Sequence, residues 1–273
     1  MKIGVIGYKG RLGSQLIYYG CEPIDYDITS QKKLDGVWDV VINCAAYSDV
    51  DGVQKSGKNY WEAIDINGRG VDYLAHAYEG EIIHMSTDYV FGGKRGPYSE
   101  DYRAEDDLPP IKNTGYSVSK FLGEMYATLH DHVYIVRTTG LYGGVSGKHD
   151  FVKMILNAYA ENLLEIKVTG NLFGNQTYIP HLASGLLKYA RIINKPKILH
   201  IASKEVVSRY EFALMIAHYF GLDRERIFPI KSSEISGWIA ERPEKAGLKV
   251  DLAQELEIPI YTIAEGLEAY KGE

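Results

Sequence analysis

Among the 22 tyrosines of this 273-residue chain, only Tyr116 is followed four positions later by a lysine, Lys120. On a helix that spacing puts both side chains on one face, where they can meet. A phenol titrates near pH ~10, and a neighbouring ammonium favours the phenolate, drawing that value down. Such a pair can give a proton to, or take one from, a carbonyl/alcohol couple. A tyrosine-rich chain shows this spacing about once or twice by chance at ordinary lysine frequency. The pair therefore carries weight only with what precedes it.

Upstream, the apolar run Glu81–Met85 reads as a buried strand that delivers Ser86, Thr87, Asp88 and Tyr89. Open parallel sheets place reactive groups at the carboxyl ends of their strands, so Thr87 is the candidate to hold a substrate carbonyl. The same residue types also suit a plain strand-end turn. His84, His149, His181 and His200 show no metal-ligand spacing, and no metal site is expected.

These groups need a scaffold, and the N-terminal third supplies the pattern of one. A strand over Lys2–Gly7 runs into Gly7-Tyr8-Lys9-Gly10-Arg11-Leu12-Gly13, followed by a helical stretch over Ser14–Tyr19. Strand, glycine-rich turn and helix in that order let a helix N-terminus approach a pyrophosphate, so a dinucleotide is expected. After the next short strand, Asp25 is the candidate partner of the adenosine ribose, with Asp27 and Ile28 at the adenine edge. Lys9 and Arg11 instead suit a 2′-phosphate, so NADH and NADPH both stay open, with a lean to NADPH. A third strand, Trp38–Asn43, leads into Cys44, Ala45 and Ala46, small enough for a cofactor to lie close.

The remaining pattern alternates helices and strands. A long helix is expected over 58–79 with Asn67 in its middle, facing solvent or bonding a neighbouring loop. The Tyr116 helix should run to about Leu129, with Phe121, Leu122, Met125 and Leu129 as its core face. A loop with Pro97 and Pro109-Pro110 is placed to cover a site, and Gly143–Gly147 to act as a lid hinge. Further strands are expected at Val133–Arg137, Leu164–Val168 and Ile198–Ala202. Those near 164–168 and 198–202 should return to the first domain (1–140) from the second, residues 141–273.

Composition narrows the classes. A hydrophobic share of 45% with 24% charged residues is that of a globular protein, and a net charge of −6 without a basic block argues against nucleic acid. Two cysteines, Cys21 and Cys44, cannot build a disulfide framework, and no apolar run has the length of a membrane span. The expectation is a cytoplasmic protein in a reducing compartment, with no membrane association.

Taken together, the glycine turn at 7–13, Asn43-Cys-Ala-Ala46, Asn67, Ser86-Thr-Asp-Tyr-Val-Phe91, Tyr116-x-x-x-Lys120, Arg137-Thr, Phe173-Gly174 and Arg242-Pro243 resemble the extended short-chain dehydrogenase/reductases. Within that superfamily the chain is similar to the dTDP-4-dehydrorhamnose reductase family. The resemblance implies an α/β fold, a Rossmann-type doubly wound parallel sheet with a smaller C-terminal substrate-binding lobe. It implies NADPH or NADH as cofactor, a nucleotide sugar as substrate, and a homodimer as one assembly. Tyr116 would give a proton to the oxygen of a 4-keto sugar, Lys120 would hold the nicotinamide ribose, and Thr87 would bond the reacting oxygen. Ser86, Asp88, Tyr89, Gly140, Phe173 and Arg242 would face the sugar nucleotide.

Three departures fall on the substrate side. Gly140 stands where the family has an aromatic residue, Leu172-Phe-Gly-Asn-Gln-Thr177 replaces Gln-Phe-Gly-x-Pro-Thr, and Arg242-Pro-Glu-Lys-Ala246 replaces Arg-Pro-x-Asn-Ser. Two alternatives accompany the reductase reading. One is a nucleotide-sugar epimerase or dehydratase with tightly held NAD, weakened because Tyr89 follows Asp88 where dehydratases carry an acidic pair. The other is a non-catalytic regulatory subunit of the methionine adenosyltransferase type.

Overall fold

The computed structural model describes residues 1–102, 107 and 115–272. The loop expectation at Pro109-Pro110 lies outside the described residues, as does Thr114.

A six-stranded parallel sheet forms the centre, in the order β2-β1-β3-β4-β5-β8. Its strands are β1 (Ile3–Ile6), β2 (Glu22–Ile24), β3 (Val40–Asn43), β4 (Glu81–Thr87), β5 (Val133–Thr138) and β8 (Ile198–His200). Side chains alternate across each strand, so Val5, Ile42 and Ile83 face one layer while Ile6, Val41 and Ile82 face the other. The first layer is α1 (Arg11–Tyr18) and α6 (Ile179–Ala190), whose Leu12, Leu16, Leu182 and Leu186 close over it. The second contains α3 (Gly70–Ala77) and α4 (Gly115–Thr128), with Val71, Leu74 and Ala127 buried. Burial on both faces is why these strands read as near-continuous apolar runs.

The stretch expected as one helix is three pieces: α2 (Gly57–Ala63), a π-helical segment Ile64–Arg69, and α3. Asn67 sits in the π segment, fully buried, where it accepts from Tyr47 N (2.8 Å) and donates to Tyr47 O (2.9 Å) and Ser119 Oγ (2.9 Å). Of the two roles open to it, the loop bond is the one observed. Close approach of α4 accompanies the wider turn, since a Cβ on Gly123 would lie 2.1 Å from Asn67 O.

Helix α4 also corrects its expected core face. Met125 and Leu129 are exposed, whereas Ser117, Ser119, Lys120, Gly123 and Glu124 are buried. The helix turns its small and polar side inward because that side meets Asn67 and a buried ion pair described below.

The strand near 198 joins the central sheet as β8, but the one near 164 does not return. It forms β6 (Ile166–Thr169), paired with β10 (Ile227–Ile230) in a separate parallel ladder. Ile166, Val168 and Ile227 face their own core with α5 (Phe151–Ala160), α7 (Arg209–Tyr219) and α9 (Ile263–Lys271). That independent apolar surface is what withholds β6 from the central sheet. A short antiparallel pair, β7 (Phe173–Asn175) with β9 (Val206–Ser208), lies beside it, and α8 (Asp251–Glu255) precedes α9.

Candidate active site

The glycine turn leaves β1 at the point where the chain order of the sheet reverses, between β1 and β3. Gly7 has φ +75°, and a Cβ there would lie 2.5 Å from Ala45 N and 2.7 Å from the Cys44 carbonyl carbon. A Cβ on Gly13 would lie 2.3 Å from Gly7 O. Turn, helix and the end of β3 thus meet backbone to backbone, as a dinucleotide fold requires. Helix α1 starts at Gly10 without a side-chain cap, leaving its first N–H groups for an anion. These features fit a nucleotide pyrophosphate.

A cleft of about 690 Å³ opens here. Gly10, Arg11, Leu12, Cys44 and Ala46 line one end, and Thr87, Tyr116 and Lys120 the middle. Not every expected cofactor contact is in place. Arg11 Nη1 donates to Leu141 O at 2.8 Å, tying the glycine turn to the segment after β5. Lys9 is exposed, and its carbonyl accepts from Lys148 Nζ at 3.0 Å. Asp27 accepts from Thr29 N and Oγ1 at 2.9 and 2.7 Å, bonds that hold its carboxyl below the usual range. The Ile28 side chain is core, packed with Val71 and Leu74, which leaves only its backbone for an adenine edge. Asp25, exposed just past β2, keeps the position of a ribose partner.

Strand β4 ends at Thr87, and α4 begins at Gly115, so Tyr116 and Lys120 lie on its first turns beside the strand end. The Tyr116 hydroxyl shares a hydrogen bond with the Thr87 side chain. Thr87 Oγ1 donates to Asp88 Oδ1 at 3.1 Å and accepts from Tyr89 N at 3.3 Å. The Tyr89 ring meets Tyr116 edge-on, centroids 5.9 Å apart. Lys120 Nζ donates to Met85 O at 2.6 Å and lies 3.4 Å from His84 Nε2.

The expected lowering of the tyrosine is not what this arrangement produces. Burial pushes the Tyr116 phenol up, with the neighbouring Tyr89 phenol and Asp88 carboxyl adding to it, and outweighs the Thr87 hydrogen bond. Burial also pulls Lys120 down to about 8, so its ammonium is itself disfavoured. Tyr116 keeps its proton at neutral pH. That suits a donor better than a base.

His84, missed as a site residue because histidine spacing held no signal, backs Lys120. Asn43 Oδ1 accepts from Ala45 N, which turns Asn43 Nδ2 to His84 Nδ1 at 3.1 Å. Burial holds the imidazole well below its usual value, hence neutral. With Nδ1 accepting from Asn43, the ring proton sits on Nε2, so His84 packs against Lys120 Nζ without accepting from it, and the lysine's hydrogen bond goes to Met85 O.

Asp88 is 1% exposed and pushed up to about 6 by burial, against hydrogen bonds from Thr139, Thr87 and Gly247 N. Ser86, expected toward the sugar, donates to Glu124 Oε1. Glu124 in turn holds Arg137 through both oxygens, Nε–Oε1 2.9 Å and Nη2–Oε2 2.6 Å, and Arg137 Nη1 lies 3.4 Å from His200 Nε2. Ser86 thus lines the cleft and also serves this buried tie between β4, α4 and β5.

On the substrate side Gly140 has φ +60°, and a Cβ would lie 2.1 Å from Asn175 O. No side chain fits, so the departure at this position is imposed by the backbone. Phe173 is half-exposed and pairs with Ser208 and Lys245 away from the cleft lining; Gln176 lines the cleft instead. Arg242 does line it, but its guanidinium is clamped on Asp51, which also accepts from Ile239 N and Ala240 N. Trp238 covers Arg242 at 4.0 Å and Arg209 lies 5.4 Å from the same ring. Arg209, Trp238 and Asp51 carried no local sequence signal, being joined only by folding.

A doubly wound parallel sheet with a glycine turn at its switch point and a Tyr-x-x-x-Lys helix beside it defines the short-chain dehydrogenase/reductase class. The RmlD substrate binding domain family matches residues 1–271, and the chain belongs to that family. It is 32% identical over 250 residues to the dTDP-4-dehydrorhamnose reductase of Mycobacterium tuberculosis, covering 85% of this chain and 80% of that protein. Among solved structures, the dTDP-4-dehydrorhamnose reductase of Clostridium acetobutylicum superposes with a TM-score of 0.83 at 30% identity, over 100% of this chain and 99% of that one. The Bacillus anthracis dTDP-4-dehydrorhamnose reductase in complex with NADP superposes with a TM-score of 0.84 at 27% identity, covering 99% of each chain.

Proposed function

We propose that the protein reduces the 4-keto group of a nucleotide-activated deoxysugar, dTDP-4-dehydrorhamnose to dTDP-rhamnose, with NADPH or NADH. The observation that carries this is the assembly of Thr87, Tyr116 and Lys120 in one cleft with the glycine turn. Bound reduced nicotinamide supplies the hydride. Thr87 and Tyr116 present hydroxyls to the carbonyl oxygen, where negative charge develops, and Tyr116 releases its proton to it. Lys120, held by Met85 O and backed by His84, is placed to hold the cofactor ribose. Arg209 and Trp238 line the outer part of the cleft, where a diphosphate and a base meet a cation and an aromatic face. Asp25 suits a ribose hydroxyl, while the engagement of Arg11 with Leu141 leaves exposed Lys9 as the cation of the glycine turn suited to a 2′-phosphate. A cytoplasmic setting, where reduced nicotinamide and nucleotide sugars occur together, is part of this reading.

The test follows absorbance of the reduced nicotinamide while the protein meets dTDP-4-keto-6-deoxy sugars, with NADPH and NADH in parallel. Oxidation dependent on the rhamnose precursor is expected. Cofactor binding without turnover of that sugar overturns the substrate assignment.

A further inference from the structure

Away from the cleft, three side chains converge at the end of the sheet where the central strands β4 and β5 begin. Asp72 and His76 occupy one face of α3 at i and i+4, and His130 reaches them from the turn between α4 and β5. Their candidate ligand atoms all lie within 4.8 Å of one another. His130 Nε2 donates to Asp72 Oδ1 at 2.8 Å, and His76 Nδ1 is 3.5 Å from the same oxygen. The two imidazoles meet edge to face at 4.8 Å.

We propose that Asp72, His76 and His130 bind a zinc-class divalent cation. A tetrahedral zinc ion with bonds of about 2.0–2.1 Å holds its donors roughly 3.3 Å apart. The distances to Asp72 Oδ1 bracket that value, so the ion enters with shifts of a few tenths of an ångström there. Two imidazoles and one carboxylate select zinc and its late first-row neighbours over magnesium or calcium, which take oxygen ligands. The His130 backbone is anchored by Lys197 Nζ on its carbonyl, and His132 packs beside its ring at 5.8 Å while donating Nε2–H to Ala75 O. Such support orients ligands before the metal arrives. The Asp72 and His130 side chains are 25% and 15% exposed, whereas His76 is 69% exposed and borders an open surface depression of about 800 Å³. An ion therefore has a route in from solvent. His76 Nδ1, which otherwise donates to Asp72 O at 2.9 Å, exchanges its proton for the metal.

This proposal departs from the expectation of no metal site. That expectation rested on sequence spacing, and His76 and His130 are brought together by the packing of α3 against α4. The bound ion joins the last turn of α3 to the entry of β5, a structural clamp independent of the reaction.

The test titrates the full-length protein, free of any affinity tag, with Zn²⁺ against a chromophoric chelator at neutral pH. One equivalent is expected to bind. His76→Ala and His130→Ala should each weaken it at least tenfold, Mg²⁺ should not compete, and the thermal midpoint should rise with Zn²⁺ in the wild type only. Absence of a bound equivalent, or affinity retained in both variants, overturns the proposal. His76→Ala removes an exposed side chain and keeps the test decisive should His130→Ala fold poorly. Turnover of keto sugar does not enter, so failure here is separable from failure of the proposed reduction.

Discussion

Tyr116 is the proton source in the proposed reaction because burial keeps its phenol protonated, not because a neighbour ionises it. Tyr116→Phe should lower turnover about 10²–10⁴-fold and leave NADPH binding nearly unchanged; steady-state rates beside fluorescence titration of the cofactor check both. Burial pulls Lys120 down to about 8 within the folded chain. In the proposed reaction its cationic form holds the ribose and favours the developing oxyanion, so kcat/KM should fall as pH rises through that value. A flat profile across it overturns the assignment. Asp88 offers a stability counterpart. Its folded value of about 6 lies above its ordinary 3.8, so protonation favours the native state. That contribution is complete below the ordinary value and is lost as pH rises through the folded one. Asp88→Asn carries no charge and should gain stability over the wild type across that window, by roughly 2–3 kcal/mol. Urea denaturation of both proteins at several pH values in the window measures it.

The elements around the site are tied by buried charge as well as by apolar contact. Glu124 on α4 and Arg137 on β5 have side chains only 6% and 4% exposed, and Ser86 on β4 adds the third point. Removing one partner leaves an uncompensated buried charge, at a cost of about 3–5 kcal/mol. Glu124→Ala should therefore lower the denaturation midpoint more than Ser86→Ala, whose lost hydrogen bond to a carboxylate costs about 1.5–3 kcal/mol. Equal shifts would show that the pair contributes little. The π segment at 64–69 belongs to the same logic. It brings Asn67 into the space between the loop at Tyr47 and the start of α4. Tyr116 is thereby aimed by a helix whose N-terminal half is braced on two sides.

Across the molecule, the cleft is closed by a contact between residues far apart in the chain. Asp51, in the loop after β3, holds Arg242 and the 239–240 backbone of the C-terminal segment. The Arg242 hydrogen bond, aided by those from Ala240 and Ile239, holds the Asp51 carboxyl well below the usual range. Trp238 is set on the cleft by this clamp. Asp51→Ala should raise KM for the nucleotide sugar severalfold while kcat and NADPH affinity change little. Steady-state kinetics with each substrate varied distinguishes this from a general loss of fold, which would reduce both together.

The sequence alone carried the strand–glycine turn–helix start, the parallel sheet, the candidate set of Thr87, Tyr116 and Lys120, and the family. The glycine turn and the Tyr116–Lys120 pair depend on neighbours a few residues apart, where backbone geometry and side-chain periodicity are local. The sheet and the family follow from the order of such local motifs along the chain. It could not show that Ile28 is core, that Ser86 turns to Glu124, or that β6 stays out of the central sheet. It also mistook the inward face of α4, since Met125 and Leu129 are apolar yet exposed. Apolar periodicity says which face is greasy, not which partner lies opposite, and here the partner is polar. Tertiary structure decided the direction of the Tyr116 shift, the clamp on Arg242 and the meeting of Asp72, His76 and His130. Burial and charge proximity are properties of packed space, and distance along a chain does not encode them.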